Sequence, residues 1–161
     1  MTLFRPLAAL LLLALAACAT TPPAPSPVSF YVMRHLQKAE GPDPLLSAEG
    51  FENARRLSRF FTTDPPRTIY VSPTRRAHET AVVLAAHLSL SLIDYDPGDT
   101  PGLIAMAKSE PGPVLIVGHS NTVPEIVERL GGARPADLAE TDYGDIFRIR
   151  RDGTVERLRL N

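Results

Sequence analysis

The 161-residue sequence predicts an α/β protein, a three-layer sandwich whose mostly parallel central sheet carries helices on both faces and ends in a C-terminal hairpin. Three observations predict it. Four short apolar, β-prone runs, Ser29 to His35, Thr68 to Ser72, Leu92 to Tyr95 and Val114 to Val117, are each bounded by Pro, Gly, Asp or Ser and read as buried parallel strands. Segments with helical periodicity fill the intervals between them, the alternation expected of a sheet covered on both sides. The final stretch, DIFRIRRDGTVERLRL, alternates apolar and polar residues around Asp152-Gly153, which marks a β-hairpin.

Ahead of the first strand the chain reads as a leader and a tether. MTLFRPLAALLLLALAAC has one basic residue, Arg5, and then an apolar run from Leu7 to Ala17, short of the roughly 20 residues of a membrane span, so it reads as a secretion signal over residues 1–17. Its last residues, Leu15-Ala16-Ala17-Cys18, resemble the lipobox of bacterial lipoproteins, in which the cysteine is acylated and becomes the mature N-terminus. Cys18 is the single cysteine, which excludes a disulfide within one copy and is the expected lipidation site. Residues 18–27, rich in proline, form an extended tether. The folded domain is expected over 28–161, long enough to bury a core unaided. Ala19, rather than an aspartate, after the cysteine resembles the outer-membrane pattern of some bacteria. The expected location is therefore the cell envelope, outside the cytoplasm, with a lipid on Cys18 as the membrane contact.

The helices follow in order. Ser47 is placed to cap a helix running to about Phe61, with Phe51, Ala54, Leu57, Phe60 and Phe61 as its apolar stripe. A second spans about Arg75 to Leu88, with Ala77, Ala81, Leu84 and Leu88 on one side. A weaker third covers roughly Leu103 to Lys108, and a fourth runs from near Asn121 to Leu130, stopped by Gly131-Gly132.

Seventeen basic and eighteen acidic residues leave a net charge of −1, and no basic block is present, which argues against nucleic acid as a partner. No carboxylate cluster suggests magnesium or calcium, so no metal or other cofactor is implied.

In open α/β sheets ligands sit beyond the carboxyl ends of the parallel strands. The residues there are Arg34-His35, Ser72 to Arg76, Asp94 to Asp99, and Gly118-His119-Ser120-Asn121. Two histidines and two or three arginines thus converge on one edge, which folding does not require. Arginine grips a phosphate dianion through a fixed fork and stays charged at any working pH. A neutral imidazole is a competent nucleophile toward phosphorus if its second nitrogen is held, and a second, protonated histidine can stabilise charge on the equatorial oxygens. The set therefore suits phosphoryl transfer through a phosphohistidine.

Three motifs carry a resemblance to a known family. VMRH, SPTRRAHETA and VGHSNTVPEIVERLGG resemble, in order, the first-strand, second-strand and late strand–His–helix motifs of the histidine phosphatase superfamily, also called phosphoglycerate-mutase-like. The resemblance covers about Ser29 to Leu160. It implies His35 as nucleophile, Arg34 and Arg76 as phosphate clamps and His119 as second histidine. Arg76 is preferred to Arg75 because it lies four positions after Ser72, and Thr80, one turn further along the same helix, is placed to support it. Ser72 and Asn121 are candidate substrate contacts. Two departures from the family pattern are visible. Leu36 stands where a small residue is common and is expected to narrow the approach to the phosphate. The insertion that brings a proton donor in long members is missing, leaving Asp96 and Asp99 as candidates, with Asp99 equally placed to cap a helix.

The resemblance thus implies a metal-independent phosphatase acting on a small phosphate monoester or a phosphoramidate through a phosphohistidine. The competing expectation is a scaffold of the same fold that binds an anionic ligand or a partner without turnover. A mutase needs a more enclosed pocket than this chain is expected to build.

Overall fold

The computed structural model describes residues 28–160, with the side chains described from Phe30. The expected signal peptide at 1–17, the tether at 18–27 and the lipidation site Cys18 lie outside the described residues.

The elements alternate as β1 (Val28–Arg34), α1 (Ala48–Phe60), β2 (Thr68–Val71), α2 (Arg75–Leu88), β3 (Leu92–Asp94), α3 (Thr100–Ser109), β4 (Val114–Gly118) and α4 (Val123–Arg129), then β5 (Asp145–Arg150) and β6 (Val155–Arg159). They form one six-stranded sheet in the order β3-β2-β4-β1-β5-β6. β1, β2, β3 and β4 run parallel, whereas β5 pairs antiparallel with β1 and β6 returns antiparallel along β5.

Because successive residues of a strand face opposite sides, the buried runs of β1, β2 and β4 feed two cores. On one face Met33, Ile69, Val71, Leu115 and Val117 pack against Ala54 and Leu57 of α1 and Ala77, Ala81 and Leu84 of α2. On the other, Val32, Tyr70, Val114 and Ile116 meet Leu103 and Ala107 of α3 and Val123, Ile126 and Val127 of α4. Two helices on each face complete the three layers expected.

Three local expectations need correction. Phe51 is 40 % exposed and lies off the buried stripe of α1. Ala54 and Leu57 of the expected stripe do face inward, and Gly50 and Asn53 join them in place of Phe51. A Cβ on Gly50 would stand 2.1 Å from the Gln37 carbonyl oxygen, so the first turn is pressed against the backbone leaving β1 and this contact sets the helix's rotation. β3 lies at the sheet edge with Ile93 and Asp94 exposed, so it is not a buried strand. α4 starts at Val123, after a turn over residues 120–122, with Pro124 in its first turn, where a missing N–H costs nothing.

The sheet order is what builds a site. β4 lies between β1 and β2, so the carboxyl ends of all three strands are adjacent. Arg34 is in register with Gly118, and the His35 N–H donates to the Gly118 carbonyl at 2.9 Å, which sets His35 beside His119.

Candidate active site

His35 lies just past the last residue of β1, where the chain leaves the sheet, and is 2 % exposed. Its ring is fixed by a 2.8 Å bond between Nδ1 and the Leu36 carbonyl oxygen. A carbonyl only accepts, so Nδ1 carries the proton and Nε2 keeps its lone pair. The same peptide is held from its other side. The Leu36 N–H donates to Thr80 Oγ1 at 2.9 Å, and the Thr80 hydroxyl donates to the Arg76 carbonyl at 2.7 Å. Thr80 supports the backbone of Arg76 and, through Leu36, the ring of His35.

His119 follows β4. Its ring stands edge to face with that of His35, 5.3 Å between centroids. Arg76 Nη2 lies 3.5 Å from His119 Nδ1, and a guanidinium only donates, so Nδ1 accepts and the His119 proton sits on Nε2. Gly118, just before it, has no room for a side chain, since a Cβ would come within 2.9 Å of Thr122 Oγ1 and 3.0 Å of the Tyr95 hydroxyl. Thr122 Oγ1 in turn accepts from the His119 N–H at 3.0 Å, which fixes the turn that presents the ring.

Burial lowers the His35 pKa to about 3, with Arg76, His119 and Arg34 pushing the same way against the Leu36 bond, which favours the proton. Burial and then the two arginines lower His119 to about 4. Both rings are thus neutral near neutral pH. In the resting site the second histidine is therefore neutral and offers its Nε2–H.

The two arginines differ in their surroundings. Arg34, 3 % exposed, gives Nη1 to the carbonyls of Ala139 (2.8 Å) and Asp142 (3.3 Å), while Nη2 pairs with Glu140 Oε2 at 3.0 Å. The Tyr143 ring centroid lies 4.3 Å from its guanidinium carbon and 6.0 Å from the His35 ring. Arg76 reaches Asp43 Oδ1 through Nη1 at 3.4 Å. The Nε atoms of both arginines are buried and have no hydrogen-bond partner among the described residues. Two fixed cations with unspent donors beside two neutral imidazoles make a receptor for a tetrahedral oxyanion.

The structure thus brings His35, His119, Arg34 and Arg76 together, and it treats the other candidates differently. Ser72 is wholly buried, with its hydroxyl 3.2 Å from Thr74 Oγ1, and it shapes the turn before α2. Asn121 is exposed on the turn before α4 and makes no hydrogen bond among the described residues. Asp99 caps α3, accepting from the Gly102 N–H at 2.9 Å, and Asp96 closes its own loop on the Gly98 N–H at 2.8 Å. Neither acid contacts the histidines or arginines. Leu36 does not narrow the pocket, which corrects that expectation: its side chain is wholly buried in the α1/α2 core with Leu46 and Leu57.

Sequence reasoning missed Glu140, Ser120 and Asp43 as neighbours of the clamps. Glu140 also accepts from the Ser120 hydroxyl at 3.0 Å, and that bond, followed by the charge of Arg34, holds its carboxyl below the usual range. For Glu140 the only sequence signal was acidity in an aperiodic segment ahead of the hairpin, whereas Ser120 was visible only as a neighbour of His119.

A three-layer α/β sandwich with paired histidines and arginines at the carboxyl edge of its parallel strands is an arrangement suited to holding a phosphate-like oxyanion. Residues 31–98 match the model of the histidine phosphatase superfamily (branch 1). The matched segment, from β1 to the loop after β3, resembles that superfamily, and solved structures of phosphatases share the fold of the whole domain. The chain is similar to the protein histidine phosphatase SixA complexed with tungstate, at 21 % identity and a TM-score of 0.61 over 80 % of this chain and 93 % of that one. It is also similar to the mycobacterial glucosyl-3-phosphoglycerate phosphatase Rv2419c in complex with VO3, at 17 % identity and TM-score 0.63 over 82 % and 98 % of the two chains. TTHB049 from Thermus thermophilus shares the fold at 17 % identity and TM-score 0.56, covering 82 % of this chain and 98 % of its own. No curated protein sequence matches the chain.

Proposed function

We propose that the protein is a metal-independent phosphatase that hydrolyses a small phosphate monoester or phosphoramidate through a phosphohistidine on His35. The observation that carries this reading is the neutral, Nδ1-anchored His35 ring 5.3 Å from His119, with Arg76 at His119 Nδ1. In the first step the His35 Nε2 lone pair attacks phosphorus, the P–O or P–N bond to the leaving group breaks, and that group departs with the electron pair. Arg34 and Arg76 hold the phosphoryl oxygens throughout, and the His119 Nε2–H donates to one of them. The arriving dianion favours a further proton on His119, so charge stabilisation grows as the substrate binds. In the second step water attacks phosphorus, the P–N bond to His35 breaks, and inorganic phosphate is released with the ring returned to its neutral form. With Asp96 and Asp99 engaged in their own loop, the best substrates are those whose leaving group departs without strong acid assistance.

The same reading makes the protein an envelope lipoprotein, exported, cleaved and acylated at Cys18, with its domain outside the cytoplasm at the outer membrane. The lipobox-like Leu15 to Cys18 and the lone cysteine support this.

The deciding experiment quenches the full chain during turnover of a 32P-labelled aryl phosphate in the presence of EDTA. Acid-labile label is expected on His35 and is expected to be missing from His35→Ala, which also loses turnover. Undiminished hydrolysis by His35→Ala overturns the mechanism. For the anchor, radiolabelled palmitate is expected on the wild-type chain in a bacterial host and not on Cys18→Ser.

A further inference from the structure

Arg34 already has an anion on it, supplied by the chain itself. A guanidinium has five N–H donors. Those of Nη1 face the carbonyls of Ala139 and Asp142, Nη2 holds the Glu140 carboxylate at 3.0 Å and reaches the Tyr143 hydroxyl at 3.5 Å, and Nε is buried without a partner among the described residues. The carboxylate is not buried with its partner: the Glu140 side chain is 77 % exposed while that of Arg34 is 3 % exposed. It is kept in place by a second bond, the one from the Ser120 hydroxyl at 3.0 Å, and Ser120 belongs to the turn that follows His119. Arg76 repeats the pattern more loosely, with the half-exposed Asp43 carboxylate 3.4 Å from its Nη1. Each clamp therefore rests against a carboxylate from a loop outside the sheet.

We propose that Glu140 is a tethered competitor for the phosphate group, a residue that sets how tightly the site holds dianions. This rests on the reading of the site as a phosphate site. A dianion arriving on Arg34 either takes Nη2 from the carboxylate or settles beside a like charge on one guanidinium, and both weaken its binding. An exposed side chain swings out at little cost, so the competitor delays entry little. It returns to Arg34 as the product phosphate loosens, which favours release over rebinding. Substrate and product phosphate are weakened alike, because the contested contact is to the phosphoryl group and not to the leaving group.

The test titrates inorganic phosphate into the full chain by calorimetry and measures KM with a small aryl phosphate. Glu140→Gln keeps the shape and removes the charge. It is expected to bind phosphate about two- to fivefold tighter, the range of an exposed ion pair, and to lower KM by the same factor with no rise in kcat. Ser120→Ala, which frees the carboxylate without touching Arg34, is expected to shift both constants in the same direction by less, and it carries the test if Glu140→Gln fails to fold. Phosphate binding by Glu140→Gln equal to or weaker than wild type overturns the proposal, as does a fall in KM without tighter phosphate binding. A wild-type chain that binds no phosphate at all removes the phosphate site itself, a different failure from an unchanged variant.

Discussion

The rings of His35 and His119 meet edge to face with 5.3 Å between centroids, and each is turned by a bond at its Nδ1, to the Leu36 carbonyl in one case and from Arg76 in the other. The two Nδ1 atoms are used oppositely, one as donor and one as acceptor. The Nε2 atoms are therefore also opposite: His35 presents a lone pair and His119 a proton.

That arrangement predicts a pH dependence of stability. Both folded pKa values, about 3 and about 4, lie below the ordinary 6.5. As pH falls from 6.5 the unfolded chain takes up protons that the folded site refuses, so stability is lost going down through this window and regained going up. For His35 alone the loss between pH 7 and pH 5 is about 2 kcal/mol. Urea unfolding at the two pH values is expected to show it, and His35→Gln is expected to lose less by about that amount. In NMR spectra both imidazoles are expected to keep neutral-form shifts at pH 5.5.

Thr80→Val is expected to damage both the fold and the site. It leaves the buried Leu36 N–H without its 2.9 Å acceptor, a cost of about 1–3 kcal/mol in stability. It also frees the peptide whose carbonyl orients His35, so kcat is expected to fall by about tenfold or more while KM changes little. Thr80→Ser keeps the hydroxyl and is expected to restore most of kcat, a rescue that a packing defect alone would not show.

Arg76→Lys retains the charge but loses the planar fork that reaches both His119 and an oxyanion. Loss of one preorganised donor to a developing charge costs about 100- to 1000-fold in rate, and kcat/KM is expected to drop toward that range. The melting temperature is expected to move little, since the side chain's protein contacts are long, at 3.4 and 3.5 Å.

Asp99 separates a capping role from an acid role. Asp99→Asn keeps a good cap and cannot deliver a carboxylic proton; it is expected to match wild type in both stability and kcat/KM. Asp99→Ala removes the acceptor of the Gly102 N–H and is expected to cost about 1 kcal/mol with activity unchanged. A large fall in kcat for Asp99→Asn would return this residue to the chemistry.

Much of the molecule is legible in the sequence because its signals are local. Runs such as VLIVG have no polar position and no option but a covered strand, and the Arg-His pair at the end of β1 is conspicuous because the strand before it is apolar. Most of the inward face of α1 is legible, since Ala54, Leu57, Phe60 and Phe61 do pack on the core, but Phe51 reads wrongly as buried, because the helix's rotation depends on Gly50 meeting the Gln37 carbonyl, a contact between segments. Leu36 misleads for a similar reason: size is visible in a sequence, whereas the direction of a side chain where the chain leaves the sheet is not. Glu140 and Tyr143 reach Arg34 from more than a hundred residues away, out of a loop without periodicity, and only the placement of β5 beside β1 brings that loop to the site.

The polarity of β1 has a geometric consequence. The strand starts at Val28 and ends at Arg34, and at about 3.3 Å per residue these seven residues set the N-terminal entry about 20 Å from the catalytic rim, at the opposite pole. A protein held by its N-terminus would therefore present its reactive face outward, toward whatever diffuses past, and keep its attachment point out of the way of bulky substrates.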